Sequence, residues 1–434
     1  MTEYVGKAMP RYDGIGQVKG QTKFVDDFVL PGMLYAKALR SPVHKGLIRG
    51  IDFTAAKNTP GVVGVVTADD IPGAKRFGAC GDQPVLADEF TAYLGEEIAL
   101  VVAVDEDTCM EAIEKIKLDI EEQEPVFDMF EAMKPDAPLV RPDLESNVWD
   151  YGSGMTTRVM YIGDVEQGFA EADYILEGRY QTGEQDHSAM EPMVSVAYFD
   201  DAERLVIHTH SQCLYFQLGQ LAGIFDLPMS RIRYLGGTVG GGFGGKNHIH
   251  ADHLAGLAAI KLKRPVKYRY SRREDLLYST KRGVFILEYK TGVKKDGRLT
   301  ANHIKLWHDA GAYGGFSPYG VEKCSMFASG PYHIPNTRVD GQCVLTNKAG
   351  SSSMRGFTIM NGQFPMEMQM SKIADTIGMD PWELRFINAW RDGDIGVSRY
   401  VVRGAGALEA MRGAAEVHGV ELPEHLLAMS SRGR

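Results

Sequence analysis

A chain of 434 residues exceeds one small domain and, at roughly one domain per 150 residues, points to two or three, each with a sizeable core. Hydrophobic residues at 44% and charged residues at 24% are those of an ordinary folded chain, which excludes disorder and a long coiled coil. A net charge of −10, from 47 basic and 57 acidic residues, excludes a broad electrostatic grip on nucleic-acid phosphates.

In chain order, Gly14 to Gly20 reads as a loop entering a compact α/β domain. Strands are predicted at Val62 to Val66 and along the apolar run Ile98 to Val104. A short helix ending near Lys115 and a half-buried strand through Ile116, Leu118 and Ile120 follow. Pro135, Pro138 and Pro142 mark a surface linker, so the expected division is a domain over 1–133, a linker over 134–156 and a second domain over 157–434.

The second domain opens with a strand at Leu205 to His210 and a helix whose face is Leu214, Leu218, Leu221 and Phe225, stopped before Pro228. Arg231 to Leu235 is a strand, and a helix is expected from about His248 to Leu262. Val284 to Gly292 and Thr300 to Trp307 form a hairpin around Asp296-Gly297. Helices are predicted over Gly362 to Ile377 and Gly406 to Glu416; the face Leu408, Met411 and Ala415 has little following chain to cover it. The fold class is α/β + α/β, α+β overall.

No run of 18 apolar residues appears, and Met1 to Tyr12 lacks a signal peptide's charged start and apolar core, so a cytoplasmic chain without membrane contact is expected. Five scattered cysteines without C-x-x-C spacing argue against a disulfide framework or an iron–sulfur cluster in this chain.

Glycine is the unusual count, 49 residues or about 11% against roughly 7% in typical proteins. Seven of the ten residues from Gly236 to Gly245 are glycine. A run of that density implies a backbone at positive φ or in close approach to a large group. Gly240-x-Gly242-x-x-Gly245 meets the dinucleotide fingerprint but lacks its second strand ending in an acid. Gly240, Gly245 and Lys246 meet the phosphate-loop pattern until Asn247 replaces the magnesium-binding Ser or Thr. Either way, unhindered amides ahead of a helix can hold an anion, with Phe243 exposed beside it.

His248, His250 and His253 suggest zinc, but on a helix only His250 and His253 fall within about 60° of each other. No G-x-S-x-G elbow supports a hydrolase. Glu191, near His187, reads either as a general base or as a brace for the glycine-rich backbone.

Gly240-Gly-Gly-Phe-Gly-Gly-Lys246 resembles the glycine motif of the molybdenum hydroxylases, the family of xanthine dehydrogenase and aldehyde oxidoreductase. Thr209-His-Ser-Gln212, Gly330-Pro-Tyr-His-Ile-Pro-Asn336 and Met354-Arg-Gly-Phe357 resemble further family motifs in the expected order. Gly20 to Asp27, Tyr93 to Ala99 and Gln185 to Pro192 extend the likeness over nearly the whole chain.

The resemblance implies an amino-terminal hammerhead-like domain and then the first molybdenum-cofactor-binding domain. The metal would be carried by molybdopterin, in its cytosine dinucleotide form, with no direct side-chain ligand. Gln212, Phe243 and Arg355 would surround the molybdenum, and Gly241, Gly242 and Gly244 would contact the cofactor. Phe357 would stack on substrate and Lys323 would bind it. Lys323 stands where purine-oxidising relatives carry arginine, and Asn247 where they carry a glutamate. That exchange implies a heteroaromatic carboxylate such as nicotinate, with a purine or an aldehyde as alternatives.

Fused family members continue past the segment resembling Val402 to Glu416 into a second cofactor-binding domain bearing the catalytic glutamate. This sequence stops at Arg434, as in split members acting on nicotinate. The implied partners are a second molybdopterin-binding subunit supplying that glutamate as general base, an iron–sulfur subunit with 2Fe–2S clusters and an FAD subunit. Readings from other classes are a phosphate-loop nucleotide-binding protein and a non-catalytic assembly subunit.

Overall fold

The computed structural model describes residues 4–433, which divide into two compact units. They interleave along the chain: one comprises 1–123 and 187–279, the other 124–186 and 280–434. Compactness therefore cuts the chain differently from the sequential division expected at the prolines. The cause is strand pairing. In the first unit a seven-stranded sheet runs in the order Ile232–Gly236, Leu205–Thr209, Val194–Phe199, Val266–Arg269, Leu34–Arg40, Glu97–Ala103, Val62–Val66. Leu34 pairs in parallel with Val266, so two distant stretches of sequence share one sheet.

The expected strands at 62–66, 98–103 and 205–209 are present. The helix Glu106–Glu114 begins at Asp105, whose carboxylate accepts the Thr108 amide at 2.7 Å. Gly14 to Gly20, expected as a loop, instead holds a short helix at Gly14–Val18. The helix Leu214–Phe225 stops at Asp226, in a left-handed conformation two residues before Pro228. The helix expected from His248 starts only at Asp252. The Gln217 amide nitrogen accounts for the delay: it donates to the carbonyls of Lys246 (3.2 Å) and His248 (2.9 Å), and the latter would otherwise accept a helical bond.

In the second unit a five-stranded sheet runs Tyr174–Thr182, Phe285–Val293, Leu299–Asp309, Asn336–Val344, Arg158–Ile162. The expected hairpin is its centre. Leu299–Asp309 and Asn336–Val344 are parallel, so their connection must cross over, and the helix Ser317–Phe327 does so. The helix Ile359–Ile377 packs on the same sheet, and the buried Tyr289 hydroxyl shares its one proton between Ala328 O (2.8 Å), just past the first helix, and Gly362 O (3.1 Å) in the second.

Two surface expectations are corrected. The proline-marked linker is partly interior: Val140, Arg141 and Asn147 are buried. The Asn147 side chain accepts from the Val140 amide at 2.8 Å and donates to Ala132 O and Pro138 O. The helix Ala407–Val417 is covered by its own chain, with Leu408 in a cluster with Phe386, Ala389 and Leu426, against which Met411, Leu422 and Met429 pack. Among the described residues no helix is long and apolar enough to cross a membrane.

The first unit is locked by a buried charge network. Arg40 lies between the rings of Tyr270 and Tyr278, at 4.8 and 4.7 Å, and pairs with Glu97 at 2.7 Å. Glu274 accepts from Lys37 at 2.9 Å and approaches Arg40 at 3.4 Å. Burial pushes the Glu274 carboxyl pKa up, but Lys37 and Arg40 outweigh it and hold the group below its ordinary value of 4.5. A depressed carboxyl contributes stability above its unfolded value and loses it as pH falls through the folded one. Thermal melts should therefore fall steeply below about pH 4.5. Glu274→Gln should cost about 3 kcal/mol at pH 7 and flatten that acid limb; an unchanged acid limb would place the sensitivity elsewhere.

Candidate cofactor site

The glycine run follows the strand Ile232–Gly236 and ends in a single turn at Gly245–Asn247. Its shape is set from beneath. Glu191 Oε2 accepts the Gly240 amide and the Lys246 ammonium, each at 2.8 Å. Gln212 Oε1 accepts the amides of Gly244 (3.0 Å) and Lys246 (3.3 Å), and the Gln212 amide donates to Lys246 O (3.0 Å). A Cβ at Gly242 would stand 2.5 Å from Gln212 Oε1, so the close approach demands glycine there. Gly244 needs it for conformation, at φ 105°.

Phe243 has no such excuse. Its φ is 52°, which costs a bulky residue about 1–3 kcal/mol, and 47% of it is exposed. The strain therefore gains no core packing. The amides of Gly241, Gly242 and Phe243 have no hydrogen-bond partner among the described residues, although Gly242 is buried. The loop thus offers successive donors beside an exposed ring, and Gln212, its oxygen spent inward, keeps an NH2 group without a partner among the described residues on an exposed side chain. Such a cradle fits an oxygen-rich, anionic group.

Lys246 does not serve as a phosphate-loop lysine. It is 1% exposed and neutralised by Glu191; burial drives its pKa down against the pull of that carboxylate. The run also ends five residues before a helix rather than opening one. Glu191 is the brace rather than the base. His248 and His253 are pushed down to about 4 by burial. Among the described residues no group of three His, Cys, Asp or Glu could hold a metal ion.

Gln217 was not anticipated. It is buried, and its Oε1 accepts the Tyr234 hydroxyl at 2.6 Å while its nitrogen fixes the segment after the run. The available signal was a glutamine among the leucines of an apolar helix face. In the second unit, Arg355 is exposed without a hydrogen bond or ion pair among the described residues. Phe357 is half-buried at φ 39°. Lys323, on the helix Ser317–Phe327, places its ammonium 5.2 Å from the centre of the Phe327 ring and pairs with no acid among the described residues.

The molybdopterin cofactor-binding domain family matches residues 150–389, and the aldehyde oxidase and xanthine dehydrogenase a/b hammerhead domain matches 19–124. A hammerhead domain followed by this cofactor-binding domain defines the class, a molybdopterin-dependent oxidoreductase. The chain belongs to the xanthine dehydrogenase and aldehyde oxidase family of molybdenum hydroxylases.

It is 33% identical over 416 residues to the nicotinate dehydrogenase large molybdopterin subunit of Eubacterium barkeri, covering 95% of this chain and 96% of that one. It is 31% identical over 402 residues to the aldehyde oxidoreductase of Megalodesulfovibrio gigas, over 90% of this chain and 44% of that protein. The crystal structure of the aldehyde oxidoreductase from Desulfovibrio desulfuricans superimposes with a TM-score of 0.91 at 27% identity, over 95% of this chain and 47% of that one. The chain thus spans nearly all of the first relative and less than half of the other two.

Lys246→Met leaves Glu191 buried without its cation and should cost about 3–5 kcal/mol. Limited proteolysis should then cut within Gly240 to Gly245, and an uncut loop would show that Gln212 alone maintains it.

Proposed function

We propose that this chain is the large molybdopterin-binding subunit of a multi-subunit molybdenum hydroxylase acting on a nitrogen heterocycle of the nicotinate kind. The observation that carries the reading is the run of amides from Gly241 to Phe243, without partners among the described residues and held open at the cost of a left-handed phenylalanine. The 33% identity, over 95% of this chain, with a subunit named for nicotinate supports the substrate class.

Gly241, Gly242, Phe243 and Gly244 would hold the cofactor through backbone, and the Gln212 NH2 group would donate to an oxygen at its metal end. Arg355, a donor without an internal partner among the described residues, would offset developing negative charge. When bound, the molybdenum–pterin group supplies two-electron redox chemistry and routes water-derived oxygen to an electron-poor ring carbon. The pterin would be the cytosine dinucleotide form. Phe357 would orient the flat ring by stacking, and Lys323 would leave the Phe327 ring to meet a carboxylate, its compact charge suiting a single anionic group.

A glutamate on a second molybdopterin-binding chain would take the proton as general base. Electrons would leave through 2Fe–2S clusters and FAD on further subunits, in a cytoplasmic assembly.

The complex purified with its accompanying chains should contain about one molybdenum per copy, with iron in a second chain. Molybdenum-free protein from cells competent in cofactor synthesis would overturn the proposal. Gly242→Ala, which drives a Cβ into Gln212, should lower molybdenum content severalfold while circular dichroism stays native. Phe357→Ala should keep its molybdenum and lose at least tenfold in kcat/KM for nicotinate; full turnover would remove the stacking role.

A further inference from the structure

Gly356, Phe357 and Thr358 are three successive residues with left-handed backbone, at φ 96°, 39° and 69°. Such a turn persists only where its surroundings over-determine it. Here the adjoining helix Ser317–Phe327 supplies the constraint. The Thr358 hydroxyl shares its one proton between Gly320 O at 2.7 Å and Phe357 O at 2.6 Å, and a Cβ at Gly320 would come within 3.0 Å of the Thr358 methyl. The Phe357 amide closes back on Met354 O at 2.6 Å.

At the N-cap of the same helix stands Phe316, whose ring meets that of Phe357 at 88° with centroids 6.4 Å apart. Both residues are half-buried rather than core. Helix and strained turn therefore fix two aromatic rings as perpendicular walls of one corner, each retaining accessible surface.

We infer that Phe316 determines specificity in this site: with Phe357 it forms an aromatic corner that accepts a planar ring and disfavours a puckered or aliphatic one. The inference rests on the reading of Phe357 as the substrate-facing ring. A flat aromatic can stack on Phe357 while turning its edge to Phe316, so both contacts use the ring quadrupole. A puckered ring of the same size and charge fills the corner without either. Thr358 is a positioning residue, acting through the placement of Phe357.

The test compares calorimetric binding of benzoate and cyclohexanecarboxylate, which share a carboxylate and differ in planarity, to the complex as purified. The wild type should prefer benzoate about three- to tenfold. Phe316→Leu should bring the ratio near unity at unchanged melting temperature, Thr358→Val should do so with a lowered melting temperature because a buried hydrogen bond is lost, and Phe316→Tyr should retain it.

A ratio untouched by Phe316→Leu, or a wild type that binds neither probe, overturns the inference. Absence of molybdenum, or of heterocycle turnover in the loaded complex, overturns the functional reading instead. The binding ratio is scored separately from both, because it needs no turnover.

Discussion

The ion pair between Lys246 and Glu191 is the constraint on which the glycine run depends. A single carboxylate oxygen holds both the ammonium at the end of the run and the first amide of its dense part, so the loop is pinned at two points by one group. Taking these charges from water costs several kcal/mol per ion, and their attraction in the interior offsets that only with good geometry. A hydrophobic pair could fill the same volume, but it could not bind a backbone amide. The pair is therefore better understood as specifying the loop's shape than as adding to stability. Gly240 follows from it, because Glu191 occupies the space where a side chain would project, while Gln212 and His187 impose the same limit on Gly242 and Gly245.

Much of this was legible in the sequence, for local reasons. The strand Val62–Val66, the strand Glu97–Ala103, the hairpin around Gly297 and the helix Ile359–Ile377 announce themselves through periodicity and punctuation, which depend on neighbours along the chain. The interleaving of the two units was not legible, because it depends on Leu34 meeting Val266, and no local pattern encodes a parallel partner more than two hundred residues away. The late start of the helix Asp252–Leu262 was hidden for a similar reason. The Gln217 side chain competes for a carbonyl thirty-one residues further on, and propensity contains no such term. The covered face of the last long helix was misjudged because a short segment, 424–429, brings Leu426 and Met429 back onto it.

At the site the division is similar. Residue types along the glycine run indicated that something large approaches the backbone, and the structure adds which atoms remain to receive it. The lysine that looked like a phosphate ligand is consumed inside the fold, whereas Gln212, which the resemblance placed beside the metal, has one half fixed and the other half open. Sequence gives the inventory of donors; only geometry says which are already spent.

Phe243 and Phe357 lie in different units and in unrelated turns, yet both are phenylalanines at positive φ beside a glycine that is also at positive φ. Strain of this kind is removed by selection for stability unless the strained geometry does something a relaxed one cannot. Packing does not supply the reason, since neither ring is buried as a core phenylalanine such as Phe285 or Phe386 is. In each case the left-handed turn goes with a large ring that keeps accessible surface, 47% of Phe243 and part of Phe357. A glycine at the same position would avoid the strain and forfeit the ring; a relaxed phenylalanine would keep the ring and lose its direction. The pairing of strain with accessible aromatic surface, repeated in two loops, supports the proposal that these rings meet a bound group.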